Sequence, residues 1–599
     1  MQLRTVAGPF LLLIASSCGS TDDPAEVAGP RSVLLVTIDT LRADHLGCYG
    51  YSQAETPNID SLSARGVRFA NVQTVAPITF VAHTSLMTGT IPPHHGVRDN
   101  ASHRALPELT TLAEVLQGEG FRTGAFTAAF VLDSIYGLDQ GFEVYGDVPQ
   151  LVAQAKSEFE ERPGYEVNQE AITWLNKLGK NEQFFLWVHY FEPHTPYPAP
   201  ENLPKNMLNR PYDAEIAMAD RVLGQLLEEL RKLNRTDETL VVLTSDHGES
   251  RGEHGEETHA FFVYQGVLHI PLILAHPSLP AGRQVLERVS VIDVMPTILE
   301  LLDVAPPTLP PPAASLMSLV NSEPTEPRPV YFESWTPLLS YGWAPLQGVS
   351  LEDMKYIRVP RSELYDLGSD PQETQNLHAQ DTPSAKKLSA ELTQLLGANE
   401  NLARAAAARK ELSADEREKL ASLGYVGTAA AQDPTVTYRD PKDGIERVQI
   451  EQRIRTLLDA GNVDQAEAEL AKLLRDEPKN PVFNAHLALI RIRQSRHAEA
   501  IPYLEICIAN GLDNATTHSN MGTCQFFTED YPAATKSLEE ALKQNPKHLV
   551  SLFWLGRTHA AAGEKEKARA RFEEILKLWG GKPGAMTKQV RGMIAELDG

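Results

Sequence analysis

An α/β domain built on a mostly parallel sheet and followed by an all-helical array is the architecture the sequence predicts, and three observations carry it. Residues 33–39 (VLLVTID), 184–190 (FFLWVHY) and 240–246 (LVVLTSD) are continuous apolar runs rich in β-branched or aromatic residues, the pattern of strands buried on both faces. Helical periodicity lies between them, clearest where Ile216, Leu223, Leu226, Leu227, Leu230 and Leu233 share one face of a long helix. Beyond about residue 445, equivalent positions recur every 34 residues.

The chain opens on Arg4, an apolar stretch at 9–15, then Ser16, Ser17 and Cys18. This order reads as an export signal over residues 1–18, and the small residues before Cys18 resemble a bacterial lipoprotein signal. The expected location is the periplasm or cell envelope, with the membrane engaged only through a lipid on Cys18. The remaining cysteines, Cys48, Cys507 and Cys524, form no CxxC pair and read as small buried residues. The net charge of −24 repels a phosphate backbone, so nucleic acid is not an expected partner.

Residues 32–380 are expected to form the α/β unit. The prolines at 306, 307 and 310–312 interrupt regular structure, and the short β-like runs at 329–333 and 355–359 suggest a small second sheet that closes it. Residues 381–444 read as a helical or irregular linker, with Pro434, Pro441 and Gly444 marking its end. In 445–590, Ala466, Ala500, Ala534 and Ala568 stand 34 apart, as do Leu470, Leu504, Leu538 and Phe572, and Gly522 and Gly556. That period resembles tetratricopeptide repeats, four helix pairs forming a solenoid able to hold a protein partner. A solenoid has its own core, so its removal is expected to leave turnover of a small substrate intact.

Asp39, Asp246 and His247 stand at the carboxyl ends of two expected strands, where residues distant in sequence converge in an open α/β sheet. Two carboxylates and an imidazole suit calcium, manganese, magnesium or zinc. Residues 79–89 (TFVAHTSLMTG) place a hydroxyl at a helix start, where backbone N–H groups favour an anion; Thr79 there is either an N-cap or a nucleophile for a phosphate or sulfate.

The runs IDTLRADHLGCYGY (38–51), SLMTGTIPPHHGVRDN (85–100), SDHGESRGEHG (245–255), HIPLIL (269–274) and LYDLGSDPQETQNL (364–377) resemble, in this order, the sulfatase branch of the alkaline phosphatase superfamily. The resemblance spans about residues 32–377. It implies an alkaline-phosphatase-like sandwich with a mostly parallel central sheet and a small C-terminal sheet subdomain. It further implies that Asp39, Asp246 and His247 bind a divalent metal together with Thr79, the position of the nucleophile. His194 (in HYFEPHTPY) and His259 would contact the anionic ester or protonate its leaving group, and His83 falls where the family carries an arginine. His94 and His95 read as loop-stabilising.

Thr79 stands where sulfatases carry the Cys or Ser of C-x-P-S-R that becomes formylglycine, and Thr40 replaces the second aspartate of the usual pair. The function expected is a metal-dependent hydrolase of an anionic sulfate or phosphate ester with Thr79 as metal-bound nucleophile. The alternatives are a phosphodiesterase or phospho-head-group transferase of the same superfamily, and a catalytically silent envelope scaffold acting through its repeats.

Overall fold

The computed structural model describes residues 28–100, 103–147, 162–195, 197, 207, 209–310, 312–399, 408, 437–459, 461–510, 512–546, 548–578 and 585–598. The expected signal and Cys18 lie outside the described residues. Among the described residues, no helix is long and apolar enough to cross a membrane.

Eight strands form the central sheet: β1 Ser32–Ile38, β2 Val67–Gln73, β3 Arg122–Phe126, β4 Val144–Gly146, β5 Phe184–Tyr190, β6 Thr239–Ser245, β7 His269–Ala275 and β8 Arg283–Ser290. Their order is β4-β3-β5-β1-β6-β7-β2-β8, and every pairing is parallel except the two that β7 makes. The apolar runs are buried along their whole length because each face of the sheet has its own core. Val33, Leu35, Phe185, Trp187, Leu240 and Val242 face one core. Leu34, Val36, Leu186, Val188, Val241 and Leu243 face the other. The long helix Pro211–Lys232 covers the second face with Ile216, Leu223, Leu226 and Leu230.

A four-stranded antiparallel sheet follows, from β9 Val330–Ser334, β10 Leu346–Leu351, β11 Met354–Arg358 and β12 Glu363–Asp366. The helix Thr382–Asn399 falls in the stretch read from sequence as linker, yet it buries Ala385, Leu388 and Leu392 in the core shared with the central sheet. It is therefore part of the α/β unit.

The 34-residue period becomes four helix pairs, from Ile445–Asp459 with Val463–Asp476 to Leu549–Ala561 with Lys565–Leu578, and the helix Ala585–Asp598 packs on the last. The recurring alanines are fully buried. The recurring glycines let paired helices approach: a Cβ on Gly522 would lie 2.5 Å from Leu538 Cγ, and one on Gly556 2.6 Å from Phe572 Cε1.

The array is not independent of the α/β unit, contrary to the expectation of a free-standing core. Val448 of the first repeat helix enters an apolar cluster with Phe261, Trp343, Val359 and Tyr365. Gln449 Nε2 donates to the Gly255 carbonyl (2.7 Å), and Gln452 Nε2 to Thr258 Oγ1 (3.3 Å). The Tyr341 hydroxyl donates to Glu451 (3.0 Å), and Lys442 pairs with Glu363. Gly444 lies so close to Trp343 that an added Cβ would stand 1.9 Å from Cη2. The segment thus braced, 255–258, leads directly into His259. Gly444→Val is expected to unseat the first repeat helix at a cost of about 1–3 kcal/mol, seen as faster proteolysis at the junction and lower turnover.

Candidate active site

β1 pairs with β5 on one side and β6 on the other, with Ile38 opposite Tyr190 and Ser245, so the ends of the three strands open at one level. The Asp39 N–H donates to the Tyr190 carbonyl (2.9 Å), tying the ends of β1 and β5. Thr40 then adopts φ 54°, a left-handed conformation costing a β-branched residue about 1–3 kcal/mol. That turn aims its N–H at Asp246 Oδ1 (3.2 Å) and presents its carbonyl to the Tyr212 hydroxyl (2.7 Å). The residue that replaces the family's second aspartate therefore orients a carboxylate through its backbone.

Asp246 Oδ1 also accepts the His247 N–H (2.8 Å), while Oδ2 is buried with no hydrogen bond among the described residues. His247 Nδ1 donates to the Gly248 carbonyl (2.9 Å), which leaves the lone pair on Nε2. That Nε2 lies 3.7 Å from Asp39 Oδ1, 3.4 Å from Asp246 Oδ2 and 3.4 Å from Thr79 Oγ1. Donor atoms of Asp39, Asp246 and His247 all fall within 4.8 Å of one another. A carboxylate oxygen without a proton donor and an imidazole held in the ligating tautomer fit a divalent cation at this point.

Thr79 is the first residue of the helix Thr79–Thr88, whose ten residues are all buried. Its N-cap is Ile78 and no side chain caps the helix, so the hydroxyl of Thr79 is not spent as a cap and faces His247 instead. Asn100, the last residue of the run SLMTGTIPPHHGVRDN, accepts the Phe80 N–H (2.8 Å) and pins this helix start.

His83, the residue at the arginine position, is fully buried one turn along. Its Nδ1 donates to the Thr79 carbonyl (2.8 Å) and its Nε2 lies 3.0 Å from the Thr37 hydroxyl. Both ring nitrogens are committed, so His83 props the turn that carries Thr79. His189, which the sequence reading did not single out, stands on β5 with Nε2 3.5 Å from Asp39 Oδ2 and Nδ1 accepting the Ala128 N–H (3.4 Å). His83, His189 and Asp246 form a second convergence of metal-type ligands. The bonds on both nitrogens of His83 favour a bracing role for that ring, whereas His189 Nε2 is buried with no hydrogen-bond partner among the described residues. His95 meets Ser85 Oγ at 2.9 Å and holds the following turn.

His194 and His259 meet across the mouth of the cradle, ring centres 4.9 Å apart, with His259 4.6 Å from the His247 ring. His194 Nδ1 donates to the Thr195 carbonyl (2.7 Å) and its ring stacks on Phe191. His259 Nδ1 lies 2.9 Å from Glu249 Oε1. Burial pushes His83 and His194 down to about 3, and His189 and His259 down to about 4. Burial also opposes ionisation of Asp246, but His247, His83 and His189 around it draw its pKa down to about 2. Glu249 is pushed up to about 7 by burial. Two carboxylates, a hydroxyl at a helix N-terminus and two imidazoles facing the same space can hold a cation, deliver a nucleophile and hand a proton to a departing oxygen.

Comparison with known proteins finds matches in both the α/β unit and the repeat array. Residues 31–304 match the sulfatase family model, and residues 252–401 match that of the N-sulphoglucosamine sulphohydrolase C-terminal region. Residues 452–511 and 528–578 match two tetratricopeptide repeat models. The Escherichia coli (strain K12) protein named uncharacterized sulfatase YidJ is 25% identical over 421 residues, 57% of this chain and 82% of that protein. The N-acetylglucosamine-6-O-sulfatase of Bacteroides thetaiotaomicron is 23% identical over 510 residues, 65% of this chain and 90% of that protein. The crystal structure of the phosphonate monoester hydrolase of Agrobacterium radiobacter superposes with a TM-score of 0.52 at 21% identity, covering 61% of this chain and 95% of that one.

Proposed function

Because this chain belongs to the sulfatase family and carries C-terminal tetratricopeptide repeats, we propose that it is a metal-dependent hydrolase of an anionic phosphate or sulfate ester that uses Thr79 as its nucleophile. The observation that carries this reading is the placement of the Thr79 hydroxyl, 3.4 Å from His247 Nε2 at the start of a buried helix, against the Asp39, Asp246 and His247 cradle.

A divalent cation held by Asp39, Asp246, His247 and Thr79 would lower the pKa of the threonine hydroxyl and offset the charge of the ester. The Thr79 oxygen forms a bond to phosphorus or sulfur as the bond to the leaving oxygen breaks, and the threonine proton passes to solvent. His194 or His259, its Nδ1–H already committed, takes up a proton from solvent at Nε2 and passes it to the departing oxygen. Water then attacks the Thr79 adduct, releases the free anion and restores the hydroxyl.

Threonine favours phosphorus in this scheme. A formylglycine hydrate carries a second hydroxyl that expels sulfate by elimination, whereas threonine has one hydroxyl and its adduct must be cleaved by direct attack of water. Phosphothreonine is open to that attack at phosphorus. A phosphodiesterase, or a transferase that passes a phospho-head-group to an alcohol instead of water, uses the same residues. In the same reading, residues 1–18 export the protein, Cys18 anchors it in the cell envelope by a lipid, and the repeats hold a protein partner there.

The test is turnover of aryl sulfate, phosphate monoester and phosphodiester by purified full-length protein in calcium, manganese, magnesium and zinc, with and without a chelator. Metal-dependent hydrolysis of at least one ester supports the reading. Inertness on all of them, equal to that of Thr79→Ala, overturns it in favour of a silent scaffold.

A further inference from the structure

The leaving-group side of the site contains one carboxylate for which the scheme above gives no task. Glu249 is fully buried two residues beyond His247, in the segment that leaves β6. Its Oε1 accepts a hydrogen bond from the Nδ1–H of His259 (2.9 Å), a bond spanning ten residues of a loop. The same carboxylate faces the Tyr197 hydroxyl and the backbone of Thr195, and Thr195 in turn receives the Nδ1 proton of His194 at its carbonyl. Arg42 Nη1 donates to the Glu249 carbonyl (2.9 Å) and pairs with Glu253 (2.8 Å), so the backbone that carries the carboxylate is itself held.

The loop between Glu249 and His259 is closed on both sides. Ser250 N–H donates to the Thr258 carbonyl (2.6 Å) and Gly252 N–H to the Glu256 carbonyl (2.8 Å). The Glu256 carboxylate accepts the N–H groups of Phe261 (2.7 Å) and Phe262 (3.1 Å), just past His259. A buried carboxylate, a closed loop and an imidazole bonded through one nitrogen are what fixing a ring requires.

We propose that Glu249 is the positioning residue of His259: by holding Nδ1 it fixes the ring so that Nε2 is the nitrogen offered to the leaving-group oxygen. This rests on the assignment of His259 to the leaving group made above. Glu249 does not touch the reacting atoms; it sets which edge of His259 faces them. Ligand loop and leaving-group histidine are thereby placed by a single turn of chain after β6.

The experiment uses full-length protein and two probe series, aryl-to-alkyl phosphodiesters and aryl sulfates of graded leaving-group basicity. Glu249→Leu removes the acceptor, Glu249→Gln keeps an oxygen at the same place, and each is combined with His259→Ala. A lost proton donor matters most for basic leaving groups. The expected result is that Glu249→Leu loses about 10²-fold in kcat on alkyl esters and less than about 10-fold on p-nitrophenyl esters, as His259→Ala does. Glu249→Gln recovers most of the loss, and Glu249→Leu adds nothing in the His259→Ala background. Independently of turnover, ¹⁵N-histidine spectra of the wild type should show a hydrogen-bonded Nδ1–H on His259 that persists in Glu249→Gln and vanishes in Glu249→Leu. If His259→Ala shows the leaving-group dependence and Glu249→Leu does not, or if the Nδ1–H signal is the same in all variants, the positioning role is overturned while the role of His259 stands. If His259→Ala itself is indifferent to the leaving group, the assignment of His259 fails and the inference falls with it.

Discussion

Thr79→Ala is expected to lose at least about 10³-fold in kcat/KM on whichever ester the wild type cleaves, because a covalent route deprived of its nucleophile has no neighbouring substitute. The substitution is mild for the fold. Alanine is the better helix former, and among the described residues the Thr79 hydroxyl makes a single side-chain hydrogen-bond contact, the 3.4 Å approach to His247. The stability cost should stay within about 1 kcal/mol, so circular dichroism and the thermal midpoint separate lost chemistry from lost structure. Thr79→Ser keeps the hydroxyl at the same atom and should retain measurable turnover. Comparable activity in Thr79→Ala and wild type would remove the nucleophile from the account.

Asp246→Asn is expected to abolish metal-dependent activity and to remove most of the stabilisation that metal gives the wild type. The reason is geometric: carboxylate oxygens of Asp39 and Asp246 are buried within 4.8 Å of each other, and Asp246 Oδ2 has no hydrogen-bond donor among the described residues. Wild type gains about 2.7 kcal/mol when free metal exceeds its Kd a hundredfold, whereas the asparagine variant, short of one anionic ligand, gains little. Thermal unfolding with and without added manganese, calcium, magnesium or zinc reads the difference. A wild-type midpoint that no metal moves would contradict the assigned ligands.

What the sequence revealed of this protein follows how local each cause is. The runs at 33–39, 184–190 and 240–246 announced strands because burial on both faces demands uninterrupted apolar residues, and the strand ends then located Asp39, Asp246 and His247. The 34-residue period announced the repeats because the closely packed alanine and glycine positions must recur wherever helices pair. The supports of the site were harder to read. His189 sits inside an apolar strand, and only the pairing of β5 with β1 shows that it faces Asp39. Glu249 gains its meaning from a bond to His259 that requires the intervening loop to close. His83 looked like a stand-in for an anion-binding arginine from its place in the motif, and its commitment to Thr79 and Thr37 exists only once the helix is packed on β1.

The docking of the first repeat helix was the least legible feature. Gln449, Gln452 and Val448 read as ordinary solenoid residues, and their partners Gly255, Thr258 and Trp343 lie more than a hundred residues earlier. Their contact makes the repeats part of the wall behind His259. Were the repeats to hold a protein partner as proposed, this contact would connect that partner physically to a loop of the active site.

The central claim, that Thr79 is the residue that takes the anion, is tested most directly by acid-quenching the enzyme during turnover of a phosphate ester and mapping the adduct by mass spectrometry. The account predicts the phosphoryl group on the peptide containing Thr79, absent in Thr79→Ala. An active enzyme whose Thr79 peptide stays unmodified, or whose label resides on another residue, would contradict it.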